Sequence, residues 1–169
     1  MVRDIYSGLK GQKSSIVFAI LGLALLLGTL SNGNSYIANA QQNASKTGTF
    51  NHTQTDESGN PDWINTGNWS LTGIDSPSPT FEAVIDMVKP NGSAAHDHQV
   101  SNLVVSGQPN NQNGSTVIDG TTTITMRDGP VTDEPTTITL TGKEISVFFD
   151  PAKINNHFGN QPVTGSVTE

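Results

Sequence analysis

The sequence predicts an all-β fold, an antiparallel sandwich or barrel of about seven or eight short strands. Three observations predict it. Runs rich in Thr, Val, Ile and Phe recur from Asp62 onward, each bounded by Gly, Pro, Asn or Asp, which is the composition of strands and turns. No segment after residue 40 sustains the 3.6-residue apolar period of an amphipathic helix. The chain also has no cysteine, and about 130 residues can bury enough surface without cross-links.

The N-terminus reads differently from the rest. Arg3, Lys10 and Lys13 stand against Asp4, the apolar run Ile16–Leu27 follows, and Ala38-Asn39-Ala40 precedes Gln41. A basic head, an apolar middle and an A-x-A ending are the parts of a secretory signal. Residues 1–40 are therefore expected to be a cleaved signal peptide with a helical apolar segment. About a dozen apolar residues fall short of the ~20 that a spanning helix requires. A pilin-type alternative would cut near Lys10-Gly11-Gln12 and retain the helix, but the A-x-A triplet beyond the apolar run favours removal. Retention as an uncleaved anchor is the third option.

Loss of residues 1–40 leaves 5 basic and 14 acidic residues, a balance of −9 against −7 for the whole chain. So acidic a domain repels phosphate backbones and anionic bilayers, which argues against nucleic-acid and membrane-surface partners. The missing cysteines exclude thiolate metal sites, thiol nucleophiles and covalent haem attachment.

Residues 41–61, rich in Gln, Asn, Thr and Ser, read as a flexible polar lead-in. The β domain is then expected over 62–169. Its first runs are Trp63-Ile64 and Trp69-Ser70-Leu71. Phe81–Val88 comes next and closes in the turn Pro90-Asn91-Gly92. His98–Val105, Thr121–Met126, Thr136–Leu140 and Ile145–Phe149 follow, and Pro162–Val167 adds a last strand. Asp128-Gly129 and Asp133-Glu134 read as a solvated hairpin end, with a weak calcium site as the less favoured option. The two tryptophans read as core or edge packing, with sugar stacking as an undirected alternative. Five Asn-x-Ser/Thr sequons, at Asn43, Asn51, Asn68, Asn91 and Asn113, are candidate acceptors of N-linked glycans in an exported protein.

Four histidines follow the signal: His52, His96, His98 and His157. His96 and His98 enter a strand at i and i+2, so both imidazoles project from one face about 6.5–7 Å apart along the chain. That spacing lets them converge on one ion, and His157, in a turn-like segment before the last strand, is the natural third ligand. Three histidines with an open fourth position suit zinc or copper, and iron also accepts them. Asp97 is expected to point to the opposite face. Glu82 and Asp86 are candidates to orient an imidazole if their strand pairs with that of His96. His52 is expected to be solvated.

The Ala38-x-Ala40-Gln41-Gln42 ending, Gly67-Asn68-Trp69-Ser70-Leu71, the Asn91-Gly92-Ser93 turn before His96-x-His98, and His157-Phe158-Gly159 together resemble uncharacterised small exported proteins of ammonia-oxidising archaea. The resemblance covers most of the chain after the signal. It implies a cell-surface or pseudo-periplasmic location and transfers no activity.

Three functions are consistent with these residues. The leading one is an extracytoplasmic metal-binding protein using His96, His98 and His157 for zinc or copper. The second is a glycosylated cell-surface structural or adhesive protein without metal. The third is an enzyme, a hydratase or hydrolase with a zinc-bound hydroxide. No nucleophile elbow, phosphate loop or dinucleotide fingerprint is present.

Overall fold

The computed structural model describes residues 44–168; the expected signal peptide and Asn43 lie outside them. Nine strands run in chain order: β1 (Ser45–Thr55), β2 (Pro61–Thr72), β3 (Thr80–Val88), β4 (His96–Val105), β5 (Asn110–Gln112), β6 (Ser115–Ile124), β7 (Val131–Thr141), β8 (Glu144–Phe149) and β9 (Val163–Val167). The sheet order is β4-β3-β2-β1-β9-β8-β7-β6-β5, and β4 also pairs with β6. That last pairing closes the sheet on itself. Eight antiparallel strands form a barrel, and β5 is an extra short strand hairpinned onto the far end of β6. Closure decides between the two predicted architectures in favour of a barrel, not a sandwich.

Alternation along the strands builds the interior. On β3, Phe81, Ala83, Ile85 and Met87 are buried while Glu82, Val84 and Asp86 are exposed. On β7 and β8, Ile138, Leu140, Ile145, Val147 and Phe149 face the same core. Burying such side chains contributes about 1.5–3 kcal/mol each. Close backbone approach sets one glycine: a Cβ on Gly165 would lie 2.2 Å from the Thr49 carbonyl oxygen, so only glycine lets β9 lie against β1 there.

Two expectations about the start of the domain are corrected. Residues 45–55 are not a flexible lead-in but β1, paired along its length with β2 and with β9, so the barrel begins at Ser45 and not at residue 62. Its inward positions are Gly48, Phe50, His52 and Gln54, so only Phe50 supplies a large apolar side chain and the period-2 signal is weak. The second correction joins Trp63-Ile64 to Trp69-Leu71. They belong to one twelve-residue strand, β2, whose chain passes through Gly67 at φ 132°.

One rim of the barrel gathers the ends of β1, β3, β6 and β8 and the starts of β2, β4, β7 and β9. Between β8 and β9 the chain crosses this rim as a run of turns, residues 150–162. Ile154 and Phe158 of that segment are buried, each 1 % exposed, and anchor it in the core.

Candidate metal centre

Three of the four histidines meet at this rim. His96 and His98 project inward from the first turn of β4, as their i, i+2 spacing predicts, and His157 descends onto them from the 150–162 segment. Asn155 (φ 50°) and Asn156 (φ 57°) adopt left-handed conformations immediately before His157, which Asn tolerates better than most residues. Phe158 then buries its ring against His98, with centroids 5.3 Å apart, and against Phe149 at 5.0 Å.

The three Nε2 atoms point at one another. His157 Nε2 lies 2.8 Å from His98 Nε2 and 3.2 Å from His96 Nε2, and the ligand atoms of all three lie within 4.8 Å. The Nδ1 atoms of the β4 pair are engaged elsewhere: His96 Nδ1 donates to the Ala94 carbonyl at 2.7 Å and His98 Nδ1 to the Thr125 carbonyl. A carbonyl only accepts, so each Nδ1 carries the proton and each Nε2 presents a lone pair. His157 has one Nε2 proton at most and cannot bond both neighbours well. Three imidazole nitrogens converge here, two of the rings held by carbonyls behind, and together they could hold a cation.

The spacing fits such an ion. Metal–nitrogen bonds of 2.0–2.1 Å at tetrahedral to trigonal angles put the nitrogens about 3.3–3.6 Å apart. The two separations from His157 need to open by only a few tenths of an ångström, while His96 and His98 lie within 4.8 Å of each other. Protonation does not compete strongly. Burial, then the neighbouring His98 and His96, push His157 down to about 4. Burial also lowers His98, and His96 adds to this, while the Thr125 carbonyl and Asp97 pull the other way. Near neutral pH His157 and His98 therefore have little proton to give up to a metal.

Trp63 flanks the cluster. Its ring stands edge-on to His96 at 5.2 Å and tilted to His157 at 6.5 Å. Lys89 Nζ sits 4.0 Å over the same indole and pairs with Asp62 at 2.7 Å. The indole thus walls the site while packing, partly buried, against the core; with Trp69 buried in the core, both tryptophans pack as expected.

Glu82 and Asp86 do not orient the imidazoles. Strands β3 and β4 pair, but the register sets Met87 opposite His96 and Ile85 opposite His98, leaving both acids on the outer, exposed face. Asp97 points outward as well. The orienting groups are backbone carbonyls, which sequence alone could not assign. His52 is not solvated; it faces into the barrel from β1, with Nδ1 3.2 Å from Thr164 Oγ1, and burial lowers its pKa.

Sequence reasoning missed Glu134. It lies not at a solvated hairpin end but on the inward face of β7, 0 % exposed, with neither carboxylate oxygen hydrogen-bonded. Burial, then the charge of Asp150, raise its carboxyl to about 7; Lys153 softens the rise. Two clefts on the outer wall, one over β8 and β9 and one over β2 to β4, are lined by none of the three histidines. Comparison with protein-family profiles, curated proteins and solved structures finds no significant match.

Proposed function

We propose that this chain is an extracytoplasmic metal-binding protein whose His96, His98 and His157 hold zinc or copper. The convergence of three imidazole nitrogens, two of the rings fixed by carbonyls, carries the reading. An acidic surface adds a long-range attraction for cations. The extracytoplasmic part rests on the signal-like N-terminus.

The other functions fare less well. A purely structural surface protein gives no reason to gather three imidazoles, and a closed barrel offers few free strand edges for assembly. A zinc hydroxide enzyme calls for a substrate pocket and a carboxylate behind a ligand, whereas carbonyls stand behind His96 and His98.

Metal content of the purified full-length chain, measured by plasma mass spectrometry beside a His96→Ala/His98→Ala variant, tests the proposal. About one equivalent of metal, lost in the variant, is expected. A metal-free protein that takes up neither zinc nor copper when offered them would refute it.

A further inference from the structure

The surroundings of the three imidazoles narrow which cation they suit; this step rests on the metal-binding reading above. All three donors of the trio are imidazole nitrogens, which bind a metal without adding negative charge. Among the described residues the nearby acids on β3 and β4, namely Glu82, Asp86 and Asp97, all face outward. The rings around the cluster are aromatic: Trp63 on one side, and Phe158 on the other at 5.3 Å from His98 and 5.4 Å from His157. Taking an ion from water into such a setting has a penalty that grows as the square of its charge, so a dication loses about four times as much as a monocation of equal size. With no carboxylate in the cluster to offset it, the second charge of a dication is compensated less here than in a site with an anionic ligand.

A soft donor lies on the facing strand. Met87 is directly opposite His96 across the β3–β4 ladder, on the inward face, and is 1 % exposed. Directly opposed residues place their Cβ atoms about 4.5–5.5 Å apart, and the diagonal partner, here His98, comes within about 7–8 Å. The unbranched thioether has the torsional freedom to bring sulfur towards the cluster from within the barrel. Thioether sulfur selects copper in its lower oxidation state, whereas zinc prefers nitrogen, oxygen or thiolate.

We propose that the site takes a soft monovalent cation, Cu(I), with the Met87 thioether as fourth donor from inside the barrel. The ion arrives and leaves as Cu(I), so binding involves no electron transfer. The role that follows is storage or hand-over of reduced copper.

The test titrates the full-length chain anaerobically with Cu(I) against bathocuproine disulfonate, and separately with Zn(II) against a chromophoric chelator. Met87→Leu and His96→Ala/His98→Ala are run beside wild type. Wild type is expected to hold Cu(I) at least ~1000-fold more tightly than Zn(II), and Met87→Leu to lose about tenfold or more for Cu(I) but less than about twofold for Zn(II). Zinc bound as tightly as Cu(I), or Cu(I) affinity unchanged in Met87→Leu, overturns the proposal while leaving a three-histidine site intact. Failure of wild type to bind either ion, or undiminished binding by the double histidine variant, overturns the metal reading itself. Copper K-edge absorption of loaded wild type decides independently of whether Met87→Leu folds: a sulfur scatterer is expected, and a purely nitrogen shell refutes Met87 as a ligand.

Discussion

The rim of this barrel carries two groups of buried ionisable side chains, and they are built on opposite terms. In the histidine cluster, His96 and His98 have one ring nitrogen satisfied by a carbonyl while the other faces inward, so the imidazoles are aimed. At Glu134 neither oxygen has a hydrogen-bond partner, and the nearby Asp150 adds repulsion. The first arrangement could receive a charge from outside. The second avoids its own charge by holding a proton. Burial alone therefore does not identify a site; the pattern of satisfied and unsatisfied atoms does.

Metal addition is expected to have the largest effect on stability. Saturating ligand at about a thousand times its dissociation constant adds roughly 4 kcal/mol to stability, a rise of about 8–16 °C for a chain of this size. Differential scanning calorimetry with and without copper or zinc should show it, and His157→Ala should abolish it. A similar rise in His157→Ala would dissociate the cluster from binding.

Next in size is Glu134→Gln. A carboxyl raised from the usual 4.5 to about 7 keeps its proton in the folded state while the unfolded chain has released its own. Between those two values the native state binds more protons, so stability falls as pH rises from about 4.5 to 7 and is flat above. Glutamine removes that decline and should stabilise the protein at pH 8 by about 2–3 kcal/mol, read from urea midpoints. A destabilised Glu134→Gln at pH 8 would mean the carboxylate has a partner in solution.

His157 works in the reverse sense. Its folded value of about 4 lies below the unfolded 6.5, so the unfolded chain takes up the proton first and stability falls as pH drops from 6.5 to 4. In metal-free wild type the two slopes oppose each other. Metal-free Glu134→Gln should therefore lose stability steadily with acid across that window, where wild type changes much less. Equal slopes in the two proteins would show that Glu134 does not titrate there. The smallest effect is expected at Ala94, whose φ of 55° places a non-glycine residue in the left-handed region. Ala94→Gly should relieve about 1 kcal/mol of strain without changing metal affinity.

Strands with a regular apolar alternation were legible from the sequence. Phe81–Val88 matches β3 within one residue and Ile145–Phe149 matches β8 equally well. β1 was not, because His52 and Gln54 occupy inward positions that usually hold hydrophobic residues, and propensity cannot tell a polar barrel wall from a loop. Barrel closure depended on β4 reaching β6 past a bulge around Asn102 (φ 56°), a long-range event that local pattern does not encode. The histidine trio was legible because two of its members share one strand face. Its setting was hidden, since Ala94 and Thr125 act through backbone oxygens and Met87 through register. Glu134 was misread because a Pro-flanked acidic stretch has the composition of a turn, while its strand continues through it.

The position of His157 has a consequence for a chain with no cysteine. It lies 61 residues beyond His96 and 59 beyond His98, and ties the last turn segment back to the fourth strand. An ion shared by these side chains is a removable cross-link across that span, enclosing four intervening strands in one loop. Such a tether restricts the unfolded chain as a disulfide does, yet it opens under a chelator instead of a reductant. Loading and unloading the ion would then set the mechanical integrity of the barrel's C-terminal half.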